Sequence, residues 1–239
     1  MCTQLLLVAA FKRSGDQALR QSAGYTAHHL IALAFMVIAT LVGSAGWLSS
    51  SATAVTASAR LLAPNGTARW LAAVLLGELL LWDYPCALFI KKLRAPVMLV
   101  HHAGMVATAY LVMLCPSFYG TFYLGWTELS SIPMQLWEVF GHAHEVATDA
   151  ARKQLLARLR DVSYHVFGAL FLLVRILAFT AITARGLLPD IRALLPTAAA
   201  ASARTPLIGF MGLSVAFNAL MLGSLAAGVW GLLADESSQ

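Results

Sequence analysis

A small set of ionisable residues falls inside otherwise apolar stretches of this sequence: Glu78, Asp83, the pair His101–His102, Glu128, His165 and Arg175. Such groups cost several kcal/mol in a bilayer, so they face the interior, where they pair or act. A neutral imidazole of His101 or His102 is a ready general base. Asp83 or Glu128 can orient that imidazole and stabilise its cation. Arg175 offers a fixed cation to an anionic headgroup, with His165 and Asn218 as further polar contacts. Arg175 could equally neutralise Glu128 or Glu78 in a structural pair. His101 and His102 could simply meet lipid headgroups, as residues near a helix end often do.

The elements that carry these residues are helices long enough to cross a membrane. A crossing needs ~20 mostly apolar residues over ~30 Å. About six such stretches are predicted: Ala27–Leu48, Thr67–Ile90, Val97–Cys115, Ser117–Val139, Asp161–Thr183 and Thr205–Leu233. The fold class expected is all-α, a polytopic bundle enclosing a polar-floored cavity. Helical phase places Thr121, Gly125, Glu128 and Gln135 on one face of the fourth stretch, with Ser131 beside it. Asp161, His165, Gly168 and Arg175 share a face of the fifth, and Ser214, Asn218 and Met221 a face of the sixth. Leu187–Ala203 is apolar but carries Pro189 and Pro196, as an interfacial or re-entrant piece would. The expected division is an interfacial N-terminal segment over 1–26, a membrane domain over 27–233 and a short tail over 234–239. Leu5–Phe11 lacks the preceding basic residues of a secretory signal and reads as an interfacial or buried piece.

Composition requires the membrane. Of 239 residues, 59% are hydrophobic and only 11% charged. A soluble domain carries roughly 25% charged residues. The mean hydropathy is +0.74. The net charge of +5 marks no nucleic-acid partner, because the basic residues sit in short loops beside apolar runs, without a patch or a stacking module. Ten of them (Lys12, Arg13, Arg20, Lys91, Lys92, Arg94, Arg152, Lys153, Arg158 and Arg160) fall on one side of the expected bundle. Five (Arg60, Arg69, Arg185, Arg192 and Arg204) fall on the other. That bias predicts both termini in the cytosol. The sequon Asn65–Gly66–Thr67 then lies on the lumenal side, against the start of the second span. Cys2, Cys86 and Cys115 have neither metal nor disulfide spacing, and no metal or other cofactor is expected. His142-Ala143-His144-Glu145 could bind a metal ion, but no further histidine box of the kind a di-iron oxygenase needs accompanies it. No paired broken helices or filter-like loop point to a channel.

Several stretches carry a family resemblance. Leu81-Trp82-Asp83-Tyr84, then Lys91-Lys92, then His101-His102 opening a span, resembles the core of the TLC family (TRAM, LAG1 and CLN8 homology). Thr127-Glu128-Leu129-Ser130-Ser131-Ile132-Pro133 is similar to that family's Glu-Leu-Ser-Thr-Pro stretch. Phe171-Leu172-Leu173-Val174-Arg175 is similar to its aromatic-and-Arg signature. The resemblance covers about Trp70 to Phe179. It implies a multi-helix membrane domain, in the endoplasmic reticulum, that senses, carries or modifies lipids. The family's ceramide synthases join an acyl group from acyl-CoA to a sphingoid amine, and carry a His-Asp pair and a further Asp on the helix after the His pair. That helix here offers Glu128 and no His-Asp, so the chain resembles the TLC-domain-only branch, linked to lipid homeostasis. The expected partners are membrane lipids, phospholipid or sphingolipid; the sequence leaves open a homo-oligomer or trafficking partners. The alternative is acyl transfer, with acyl-CoA as co-substrate, His101 or His102 as base and Asp83 or Glu128 as orienting acid.

Overall fold

The computed structural model describes residues 2–14, 17–197 and 201–236, and these are helical with no strand among them. A short helix α1 (Cys2–Lys12) lies antiparallel against α2 (Gln17–Ser51). The Gln4 side-chain amide donates to the Gly24 carbonyl at 2.9 Å. Leu5 and Leu6 of α1 are exposed. The short α3 (Ala57–Leu62) then leads into α4 (Gly66–Glu78), which passes through a π-helical turn, Leu79–Asp83, into α5 (Tyr84–Phe89). After a basic loop comes α6 (Pro96–Leu114). A broken element follows: α7 (Phe118–Tyr123), a 3₁₀ turn Trp126–Ser130 and α8 (Ser131–Val146). One long helical rod runs through α9 (Ala150–Leu170), α10 (Phe179–Ile182) and α11 (Leu188–Leu194). Two further π-helical stretches, Phe171–Ala178 and Thr183–Leu187, join its parts. The last helix is α12 (Arg204–Glu236).

Among the described residues, four apolar stretches are long enough to cross a membrane: Ser22–Ser51, Ala57–Phe89, Ala150–Leu194 and Arg204–Gly223. The chain is therefore a membrane-embedded helical protein. The expected third crossing corresponds to α6, apolar but shorter over Met98–Leu114. The expected fourth crossing is not one helix. It bends at Leu124–Gly125, because Gly125 lies against Gly43 of α2; a Cβ on either glycine would come within 2.5 Å of the other's Cα. Close backbone approach through small residues is how membrane helices pack, since lipid supplies no hydrophobic drive between them. The backbone groups loosened by the bend are covered locally. Thr127 Oγ1 donates to the Tyr123 carbonyl at 2.8 Å, and Ser130 Oγ to the Thr127 carbonyl at 3.1 Å.

Two of the π-helical turns also have a local cause. Proline lacks an N–H and its ring clashes with the carbonyl four residues earlier. Pro85 and Pro189 each stand two residues past the end of a π-helical stretch. The wider turn takes up that clash, so the rod continues through Pro189. The expected interfacial piece from Leu187 is thus the end of the long rod; residues 198–200 of it lie outside the described residues. Likewise α2 starts ten residues before Ala27, so the expected boundary at 26/27 falls inside a continuous helix. Of the expected tail, 234–236 continue α12, and 237–239 lie outside the described residues.

The core sits around α7, every residue of which is buried. Phe122, Leu124, Leu61, Leu187 and Ile191 are its most enclosed large side chains. Trp47 stacks on Phe118 with ring centroids 4.0 Å apart. At this end of the bundle Asn65 caps α4, accepting from the Ala68 N–H at 2.9 Å, while its amide donates to Ser50 Oγ at 3.2 Å. The sequon asparagine is thereby held in the fold on both sides of its amide.

Candidate functional site

Asp83 closes the first π-helical stretch and is buried. Its carboxylate bridges two imidazoles from different helices. Oδ2 meets Nδ1 of His102 on α6, and Oδ1 lies 3.3 Å from Nε2 of His28 on α2. A carboxylate only accepts, so the facing nitrogens carry the protons. This leaves Nε2 of His102 as a basic nitrogen and Nδ1 of His28 as an acceptor; the latter is buried with no hydrogen-bond partner. The His28 ring is stacked on Trp82, centroids 4.6 Å apart and 17° between planes. On the next position of α2, His29 Nδ1 meets Gln135 Oε1 of α8 at 2.6 Å, and its Nε2 is also buried without a partner.

A second group lies on the neighbouring elements. Arg175, in the middle of the second π-helical stretch, donates from Nε to Ser130 Oγ at 2.8 Å and from Nη2 to Ser131 Oγ at 2.9 Å. Ser131 Oγ in turn donates to Glu128 Oε2 at 2.7 Å, and Arg175 Nη2 stands 3.7 Å from that oxygen. Glu78 lies within electrostatic reach of both Asp83 and Glu128, and its Oε2 is buried without a partner. The two groups are thus adjacent: a bridged His–Asp–His unit and a Glu–Ser–Arg unit. Both Asp83 and Arg175 stand in π-helical turns, which recur at functional sites in helical proteins.

Of the residues expected from sequence, Asp83 and His102 are joined directly, as are Glu128 and Arg175. His101 adjoins His102, with centroids 5.7 Å apart, and packs edge-on against Phe217 of α12 at 6.0 Å. It has no hydrogen bond to a described residue. His165 does not join them. Its side chain is exposed, and Nδ1 meets the Asp161 carbonyl of its own helix at 2.7 Å. Asp161 and Gly168 are exposed too, so that expected inward face points outward. The reason is the π-helical stretch that begins at Phe171: an α-helical period carried across it assigns Arg175 and His165 to one face when the wider turns rotate them apart. Asn218 is half-buried and donates from Nδ2 to Thr180 Oγ1 at 3.1 Å, pairing α12 with α10. The inward stripe of the fourth element holds in spite of its bend: Thr121, Gly125, Glu128, Ser131 and Gln135 are all buried. Among the described residues no three His, Cys, Asp or Glu side chains are gathered to hold a metal ion.

Two concavities flank the site. One, of about 680 Å³, is an apolar groove on the outer face between α5 and α6, lined by Leu80, Tyr84, Leu88, Leu99 and Ala103, with Arg94 at its end. Tyr84 donates to the Leu99 carbonyl at 3.2 Å across it, and its ring stands edge-on to His102 at 6.3 Å. The other, of about 430 Å³, opens where α2, α8 and α9 meet the basic loop, and is polar. Neither is lined by Asp83, Glu128 or Arg175. Sequence reasoning placed Gln135 on the inward face, but read His28 and His29 as opening the first crossing at the interface and missed this polar pocket. The available signal was the spacing Tyr25, His28, His29, which puts three polar rings on one face of α2.

No protein family matches the chain, and no curated protein or solved structure matches it either.

Proposed function

We propose that this is a TLC-like membrane protein that binds or regulates membrane lipids, phospholipid or sphingolipid. On this reading the chain crosses the endoplasmic reticulum membrane about six times, with α6 and the bent α7–α8 element as the two further crossings. Both termini lie in the cytosol. The observation that carries the reading is the groove between α5 and α6. It is walled by aliphatic side chains on the lipid-facing surface and ends at Arg94, so an acyl chain can lie in it with an anionic headgroup at the basic loop. A volume of about 680 Å³ is of the size of small-molecule sites generally. Its inner wall, Tyr84, separates a guest from the Asp83–His102 unit by a single ring. The polar floor expected from sequence is assigned, on this reading, to the unpartnered buried atoms of His28, His29 and Glu78. Mass spectrometry of lipids on gently extracted protein tests this. A stoichiometric lipid is expected, lost when Ala103→Trp fills the groove and retained in His165→Ala. Retention of the same lipid in Ala103→Trp, or its absence from the wild-type protein, would refute the assignment.

The bridged imidazole favours a second reading, acyl transfer from acyl-CoA. Nε2 of His102 would take the proton from an attacking amine or hydroxyl, with Asp83 holding the ring and its developing charge. Purified protein given labelled acyl-CoA and a panel of amines and lipids would yield product that disappears in His102→Ala. Absence of product from the wild-type protein ends this reading.

A further inference from the structure

The polar pocket of about 430 Å³ adjoins the site above through Tyr25, whose ring meets His29 at 4.3 Å, and opens at the end of the bundle that carries the basic loop. Three aromatic rings line it: Tyr25 of α2, Trp137 of α8 and Tyr164 of α9. Trp137 and Tyr164 form one wall, with centroids 5.9 Å apart. Three carboxylates, from Glu138, Glu145 and Asp161, also line it, against two cations, Lys92 and Arg160, so the lining carries one net negative charge. Arg160 is taken up by Asp161, 3.5 Å away.

Lys92 is the informative residue. Its ammonium stands 5.2 Å from the centroid of the Tyr25 ring and 3.7 Å from Glu145 Oε2. A cation over an aromatic face, with a carboxylate beside it, is the arrangement by which proteins hold ammonium groups. Here the chain's own side chain occupies it. The occupant is loosely kept, since the Lys92 and Glu145 side chains are 60% and 65% exposed. An exposed ion pair contributes little, ~0–1 kcal/mol. When Lys92 swings into solvent, the pocket gains a second net negative charge and an open aromatic face. His142 adds a ring whose two nitrogens are buried without a hydrogen bond, edge-on to Tyr25 at 5.3 Å.

We propose that this pocket is a binding site for an ammonium group, primary or quaternary, with Lys92 as the resident competitor that the ligand displaces. The ammonium can come from a lipid headgroup or from a soluble amine; the recognition chemistry is shared. The proposal does not depend on the groove between α5 and α6, which lies on another face.

The test uses the full chain in nanodiscs of phosphatidylglycerol, with choline chloride as probe and sodium chloride as ionic-strength control. Calorimetry is expected to detect choline binding. Lys92→Ala is expected to bind about fivefold more tightly, the worth of one exposed cation–π contact. Trp137→Leu and Glu145→Gln in the Lys92→Ala background are each expected to bind weaker by a similar factor. Circular dichroism of each variant verifies that it has folded. Repeating the titration in phosphatidylcholine discs separates the sources: loss of the signal there identifies a lipid headgroup as the occupant, and an unchanged signal a soluble amine. No binding to either wild type or Lys92→Ala would overturn the proposal, as would binding weakened by Lys92→Ala or indifferent to Glu145→Gln.

Discussion

Two buried carboxylates, one towards each end of the bundle, are built on opposite terms. Asp190 of α11 accepts three hydrogen bonds: from Arg60 Nε at 2.5 Å, from Arg60 Nη2 at 2.6 Å and from the Tyr119 hydroxyl at 2.6 Å. The remaining arginine nitrogen donates to the carbonyls of Ala54 and Val55, both at 3.1 Å. None of these polar atoms is left over. The group ties α3, α7 and the end of the long rod together through a bidentate ion pair. Asp83, by contrast, is surrounded by leftovers. His28, its neighbour His29, the indole of Trp82 and nearby Glu78 all keep a buried polar atom without a partner. Such atoms cost free energy and are uncommon in folded proteins, so a run of them in one place needs a reason. A closed cluster is scaffold; an open one is a site whose missing partner is a ligand, a water or a proton.

The comparison breaks most readily at the closed end. Asp190→Asn removes the charge but not the volume, leaving a partly buried guanidinium against an amide. The expected loss is about 3 kcal/mol, at the low end for breaking a buried pair because Arg60 keeps some solvent. Unfolding of the purified protein in mixed detergent micelles measures it. Arg60→Lys is the next step down. A lysine keeps the charge and loses the fork that grips both carboxylate oxygens, for about 1–2 kcal/mol in the same assay.

The open end responds differently. Asp83→Asn is expected to cost less than about 1 kcal/mol, because it relieves a buried charge whose surroundings are incompletely satisfied. The same change is expected to remove bound lipid, or product if the protein transfers acyl groups. Equal losses of stability in Asp83→Asn and Asp190→Asn would show that both carboxylates are scaffold and dissolve the distinction.

The comparison also marks how far the sequence could be read. Asp83 and His102 were legible because charge in an apolar run is conspicuous, and the pairing of Glu128 with Arg175 follows from the cost of leaving either alone. His28 was not. It sits next to a supposed interface when α2 is started at Ala27, whereas the helix starts at Gln17 and carries the imidazole about three turns inward. His165 was misplaced for a complementary reason, since a constant 3.6-residue period has no room for the π-helical turns that re-phase the rod around Arg175. Gly125 gave no warning that the fourth element bends, because its constraint is the backbone of Gly43, some eighty positions away in sequence. The four long apolar helices were readable from local hydropathy. The exceptions all depend on turns or neighbours that local patterning does not encode.

The smallest expected effect is the most discriminating. Trp82→Phe keeps an aromatic face for His28 to stack on and deletes the one indole N–H, which is buried without a partner. Burying a donor with nothing to receive it costs about 1–3 kcal/mol. Losing that penalty offsets the apolar area lost with the smaller ring, so stability is expected to change by no more than about 0.5 kcal/mol in either direction. If the N–H instead serves a guest, the variant is as stable as wild type yet releases its lipid on extraction. If it serves a structural partner, stability falls by the worth of a hydrogen bond while bound lipid is unchanged. Measuring unfolding and lipid content on the same preparation separates the two, and a fall in stability with lipid retained would class Trp82, and the imidazole stacked on it, with the closed cluster at Asp190.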